Sequence, residues 1–162
     1  GDSFQIEVKK PEEALLFAFK LKTILKKIKK LDVRIGIGIG DKNNSYNNIT
    51  EASGEAFINS GNVFDHLLKK QNLAIKTPNE EFNKILNTSL AIALLVMDNW
   101  TVNSATFVLK YLENPNASQK MIANALNISE SSASERRKRA GLDEILQLEK
   151  LYRDLIHSKI SV

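Results

Sequence analysis

The chain contains no cysteine and only two histidines, His66 and His157, among its 162 residues. Without a thiol there is no disulfide framework, no cysteine-ligated zinc and no cysteine nucleophile, a usage that fits a reducing cytoplasm. The two imidazoles lie far apart in sequence, so neither a histidine metal site nor a serine–histidine relay has its parts. Both are read as surface residues. Proline (3) and glycine (7) are too sparse for collagen-like or low-complexity chains. Long apolar runs are missing as well. The longest uncharged apolar stretch, residues 89–97, is less than half the roughly 20 residues that span a bilayer, and no apolar leader follows the N-terminus. These absences lead to the expectation of a soluble, cytoplasmic protein with no membrane partner. Charge of one sign does not dominate either. Residues 1–100 carry 14 basic and 12 acidic side chains and residues 101–162 carry 9 and 7, so both parts share the excess equally and total charge selects no partner.

What is present suits one generous domain or two small ones. The character changes near Asn99 and Trp100. Before that point, Phe4-Gln5-Ile6-Glu7-Val8 alternates apolar and polar residues as a strand does. Pro11-Glu12-Glu13 opens a helix, because proline suits a first turn and acidic groups there complement the helix dipole. Ala14, Leu15, Ala18, Leu21, Leu25 and Ile28 form its apolar face. The lysines at 20, 22, 26, 27, 29 and 30 read as a solvated face near its C-terminal end, with a nucleic-acid groove as the rival reading. Val33, Ile35, Ile37 and Ile39 alternate with Arg34, Gly36, Gly38 and Gly40, a strand whose second face is kept small so that something packs close above it. These glycines match neither the dinucleotide fingerprint nor a Gly-Lys-Ser phosphate loop. Residues 41–50, polar and rich in asparagine, read as a loop. A helix over 54–70 with Phe57, Val63, Phe64, Leu67 and Leu68 inward, a strand over 73–77 and a connecting helix over 79–97 follow.

The residues Gly1-Asp2-Ser3-Phe4, Val33-Arg34-Ile35-Gly36-Ile37-Gly38 and Ala52-Ser53-Gly54-Glu55-Ala56-Phe57, in this order of strands and helices, resemble class III nucleotidyl cyclases and the related diguanylate (GGDEF) domains. They look most like the SatD family, in which such a domain precedes a DNA-binding tail. The resemblance spans residues 1–78 and implies a partial ferredoxin-like or cyclase-like sheet. In those families the Gly-Asp turn sits mid-domain, so the chain is expected to begin late, without its first strand. The resemblance makes Asp2 a vestigial metal carboxylate, with local turn hydrogen bonding as the alternative role. It also implies an Asn and an Arg on the helix after Gly54, but Ile58 and Asn62 occupy those positions. An aliphatic side chain cannot orient a ribose, and a neutral amide cannot neutralise phosphate. Cyclase catalysis is therefore not expected and no cofactor is implied, while a nucleotide effector stays open.

The second part, residues 118–140, resembles the helix-turn-helix of bacterial transcription regulators and sigma-factor-like domains. Ser118 and Ser129 suit helix N-caps, and Ile122, Ala123, Leu126 and Ala133 suit buried faces. Asn127 suits a left-handed turn and Ile128 plugs it. The second helix of such a pair enters the major groove. Gln119, Ser131, Ser132, Ser134 and Glu135 with the basic run Arg136, Arg137, Lys138 and Arg139 are the candidate DNA contacts. The serines discriminate bases weakly, and two or three of the cations contact phosphates. A helix precedes the motif, with Val102, Ala105, Val108, Leu109 and Leu112 as core candidates and Trp100 as a hinge or core aromatic. A closing helix follows Gly141 with Leu142, Ile145, Leu148, Leu151, Tyr152 and Leu155 on its apolar face. It and the helix at 79–97 suit pairing in a homodimer.

The expectation is an α+β protein: a cyclase-like region at 1–78, a connecting helix at 79–99 and an all-α helix-turn-helix region at 100–162. Its expected function is binding double-stranded DNA as a regulator. A nucleotide-binding sensor or enzyme, and a module that touches only protein, are the competing readings.

Overall fold

The computed structural model describes residues 4–40, 54–67 and 71–160. It is a mixed α+β fold, mostly helical, with a small two-stranded parallel sheet. A short 3-10 turn, Pro11–Glu13, leads into α1 (Ala14–Lys26). Next come β1 (Ile35–Gly38), α2 (Glu55–Asp65), β2 (Leu73–Lys76) and α3 (Glu80–Met97). Then follow α4 (Val102–Glu113), α5 (Gln119–Ala125), α6 (Glu130–Arg139) and α7 (Leu142–Ile160). The chain forms two compact units, one of residues 1–15, 34–91 and 152–162 and the other of 16–33 and 92–151.

In the first unit β1 and β2 pair in register, Ile35 opposite Leu73 through Gly38 opposite Lys76. Ile35 and Ile39 donate N–H bonds to Asn72 and Lys76 carbonyls, each at 2.8 Å. The glycines of β1 serve close packing, as their spacing predicts. A Cβ on Gly36 would lie 2.8 Å from Val63 Cγ1, and one on Gly38 would collide with Ala56 O and Ser60 N of α2. The helix therefore rests directly on bare backbone. Leu73, Ile75, Leu86 and Leu90 are buried in this unit. The outer edge of β2 is closed by helix α3 rather than by a strand. Asn87 accepts from Ile75 N and donates to Ile75 O, both at 2.8 Å, and Asn83 does the same for Thr77 at 2.7 and 2.9 Å. Each side-chain amide thus offers the donor and acceptor that a neighbouring strand would offer.

Several sequence expectations are corrected here. Residues 4–8 form no ladder with any described residue, and Phe4 and Ile6 are 69% and 51% exposed. Alternation marks a strand only where a neighbour takes up its N–H and C=O groups. The lysine face of α1 is not wholly solvated. Lys22 is 1% exposed, with Asp32 and Asp98 carboxylate oxygens 2.8 and 2.6 Å from its Nζ. Helix α1 stops at Lys26, so Ile28 lies outside it and is exposed. Helix α2 is shorter than expected and only half-buries Phe57, Val63 and Phe64, while Leu67 is buried; Leu68 and the polar loop expected over residues 41–50 are outside the described residues. Val102 and Leu151 face outward.

The second unit is helical. Trp100 is buried and its Nε1 donates to Ala140 O at 3.0 Å, which makes it the core aromatic expected. Phe107, Val108, Ile122, Leu142 and Ile145 are buried in the same unit. Both histidines are exposed.

Candidate nucleic-acid interface

Helices α4, α5 and α6 pack on one another, and local chemistry fixes where each begins. The Thr101 hydroxyl accepts from Ser104 N at 3.1 Å at the start of α4. Ser118 Oγ accepts from Met121 N at 3.2 Å, and Ser129 Oγ from Ser132 N at 3.1 Å. Each cap satisfies a backbone donor that has no partner within its helix. Between α5 and α6 the chain passes through Asn127 at φ +52°, the left-handed region that Asn tolerates better than most side chains. Ile128 N closes the turn on Ala123 O at 3.0 Å. Ile122, Ala123 and Ala133 are buried, as their spacing requires. Leu126 and Ile128 are only half-buried.

On α6 the residues Ser131, Ser134, Glu135 and Lys138 recur at intervals of three and four, so they share one face, and all four are exposed. Ala133 lies off that face, buried. The basic run divides by role. Arg137 sends Nε to both carboxylate oxygens of Asp143, at 3.1 and 3.2 Å, and its guanidinium lies 4.9 Å from the Tyr111 ring centroid. The Asp143 hydrogen bond raises the Arg137 pKa against the opposing effect of burial, so this cation is committed to holding α6 against α4 and the start of α7. Arg139 reaches Glu135 at 3.4 Å, both side chains well exposed, an ion pair of little strength. Lys138 is exposed and Arg136 half-exposed, with no ion pair to either among the described residues. Ser132 shares its hydroxyl with Ser129 at 3.1 Å, and Gln119 is half-exposed in the first turn of α5.

The face presents two short hydroxyls and one long cation beside one carboxylate, with Arg136 and Arg139 outside it. Such a face can accept and donate hydrogen bonds in a groove and approach phosphates. Sequence reasoning missed Asp143 and Tyr111. Asp143 follows Arg137 across the break at Gly141, whose φ is +58°, so no helical periodicity links the pair.

The sequence model of the SatD family matches residues 1–156. The chain belongs to the SatD family. The match runs through both the β1–α2–β2 region and the helices that carry α6. No curated protein and no solved structure matches it. In this SatD-family chain Asp2 lies outside the described residues. Gly54 is the N-cap residue of α2, and Ile58 and Asn62 are exposed on that helix. Among the described residues no three His, Cys, Asp or Glu side chains are grouped to hold a metal ion. No described helix is long and apolar enough to cross a membrane.

Proposed function

We propose that this SatD-family chain binds double-stranded DNA through a helix-turn-helix formed by α5 and α6, with α6 in the major groove. The observation that carries the reading is the open face of α6. Ala133 anchors the helix from behind while Ser131, Ser134 and Lys138 are exposed along its outer side, the Ser131 hydroxyl also lying 2.9 Å from that of Ser129. Lys138, Arg139 and Arg136 supply phosphate contacts and Arg137 fixes the helix that carries them. Hydroxyls accept and donate to any base edge, so one copy discriminates sequences modestly. A homodimer would place two such helices in successive grooves and multiply that discrimination. The β1–α2–β2 region is read as a cyclase-like remnant without cyclase chemistry, since Ile58 and Asn62 stand where orienting and charge-neutralising side chains would be needed.

The test is fluorescence anisotropy with a labelled mixed-sequence duplex across a salt series. Affinity is expected to fall steeply with salt. Lys138→Ala with Arg139→Ala is expected to weaken binding about tenfold at low salt and to flatten the slope of log K against log salt by about 2, one unit per phosphate contact. A double variant with unchanged helicity that binds with the wild-type affinity and slope would falsify the assignment.

A further inference from the structure

We infer that the recess beside the end of α1 is a binding site for a phosphate group. The recess holds about 270 Å³ and is lined by Lys26, Lys29 and Lys30 together with Asp32, Trp100 and Thr101, all within the second unit. Its charges are not evenly matched. Lys22 and Lys26 face Asp32 at 2.8 and 2.7 Å, Lys22 also faces Asp98 at 2.6 Å, and Lys26 donates to the Asp98 carbonyl at 2.6 Å. Two lysines therefore answer two carboxylates. Lys29 and Lys30 add two cations that no described carboxylate pairs, and both are exposed at the rim. Lys30 is held at φ +66°, a backbone conformation that sets the turn between them and Asp32. Ile28 and Leu31, both exposed, line the recess beside them. An uncompensated pair of ammonium groups at the rim of a recess favours a multiply charged oxyanion, and lysine is a common phosphate binder.

The position of the recess adds to the argument. Trp100 lines it and donates through Nε1 to Ala140 O, the residue that follows Arg139 at the end of α6. The recess thus adjoins the end of the helix that carries the proposed DNA contacts. The phosphate has two possible sources, the backbone of a duplex or a free polyphosphate such as a nucleotide tail. The site itself does not depend on the DNA reading.

The experiment uses inorganic tripolyphosphate in a thermal-shift titration at low salt, and in parallel the duplex anisotropy assay. The variants are Lys29→Gln with Lys30→Gln, Lys138→Gln with Arg139→Gln, and Lys9→Gln with Lys10→Gln as a control of equal charge change. Tripolyphosphate is expected to raise the wild-type midpoint by about 3 °C at tenfold excess over its Kd. That shift is expected to vanish in the Lys29/Lys30 variant and to persist in the other two. If the same variant also weakens duplex binding about tenfold and lowers the salt slope by about 2, the phosphate is the duplex backbone's. If duplex binding is unaffected while the tripolyphosphate shift is lost, the phosphate is a free one. The inference is overturned if tripolyphosphate gives no shift, or if all three variants lose it equally. Failure of the α6 reading appears separately, as wild-type duplex binding in the Lys138/Arg139 variant.

Discussion

At Asn127 one backbone angle decides whether α5 and α6 can meet. Its φ of +52° is disfavoured for any side chain with a Cβ, and Asn tolerates it because its short amide hydrogen-bonds locally. Asn127→Ala is expected to lower stability by about 1 kcal/mol, while Asn127→Gly stays within about 0.5 kcal/mol of wild type. Urea denaturation of the two variants side by side checks this, and equal loss in both would show that the amide matters for its contacts and not for its backbone. Arg137 makes a related point. A basic residue in a run of four was legible as basic, but its bond to Asp143 was not, because that bond spans the helix break at Gly141.

Among the elements, the pairing of α3 with β2 has the clearest energetic consequence. Two asparagines four residues apart place their amides on one helix face, and that spacing matches Ile75 of the strand and Thr77, the residue just past its end. Removing either amide leaves a backbone N–H and C=O, of Ile75 in β2 or of Thr77 just after it, without their partner. Asn87→Ala or Asn83→Ala is therefore expected to cost about 2 kcal/mol, measured by chemical denaturation. The two together are expected to expose a strand edge and promote association, visible by light scattering. A double variant that remains as stable and monodisperse as the parent would show that water replaces the amides at no cost. Helical periodicity placed α3 in the sequence, but nothing in its polar residues disclosed that two of them substitute for a strand.

On the scale of the molecule, Lys22, Lys26, Asp32 and Asp98 tie the end of α1 and the turn after it to the residue after α3. Burial would raise the Asp32 carboxyl. Hydrogen bonds from Lys22, Lys26 and the Val33 N–H outweigh burial and hold it below the ordinary Asp value of 3.8. A carboxyl lowered in the folded state contributes stability that is complete above its unfolded pKa and is lost as pH falls through the folded one. The denaturation midpoint is thus expected to drop below about pH 4 as this contribution disappears. Asp32→Asn is expected to be less stable than wild type at pH 6 and to show a shallower acid decline. Parallel pH profiles for the two proteins would count against the network's role.

The sequence by itself determined the elements whose signals are local. Caps at Ser118 and Ser129, the left-handed turn at Asn127, the bare face of β1 and the apolar spacing of α3, α4 and α7 all follow from rules that act within a few residues. It also carried the family, whose pattern extends over residues 1–156. Tertiary structure decided what depends on partners distant in the chain. Residues 4–8 alternate like a strand yet have no ladder partner among the described residues. Lys22 looked solvated because it belongs to a lysine-rich segment, with Lys20 and Lys26 close by, and its carboxylates lie 10 and 76 positions away. Residues 16–33 are grouped with the later helices because burial follows contacts in space, which periodicity along the chain does not encode.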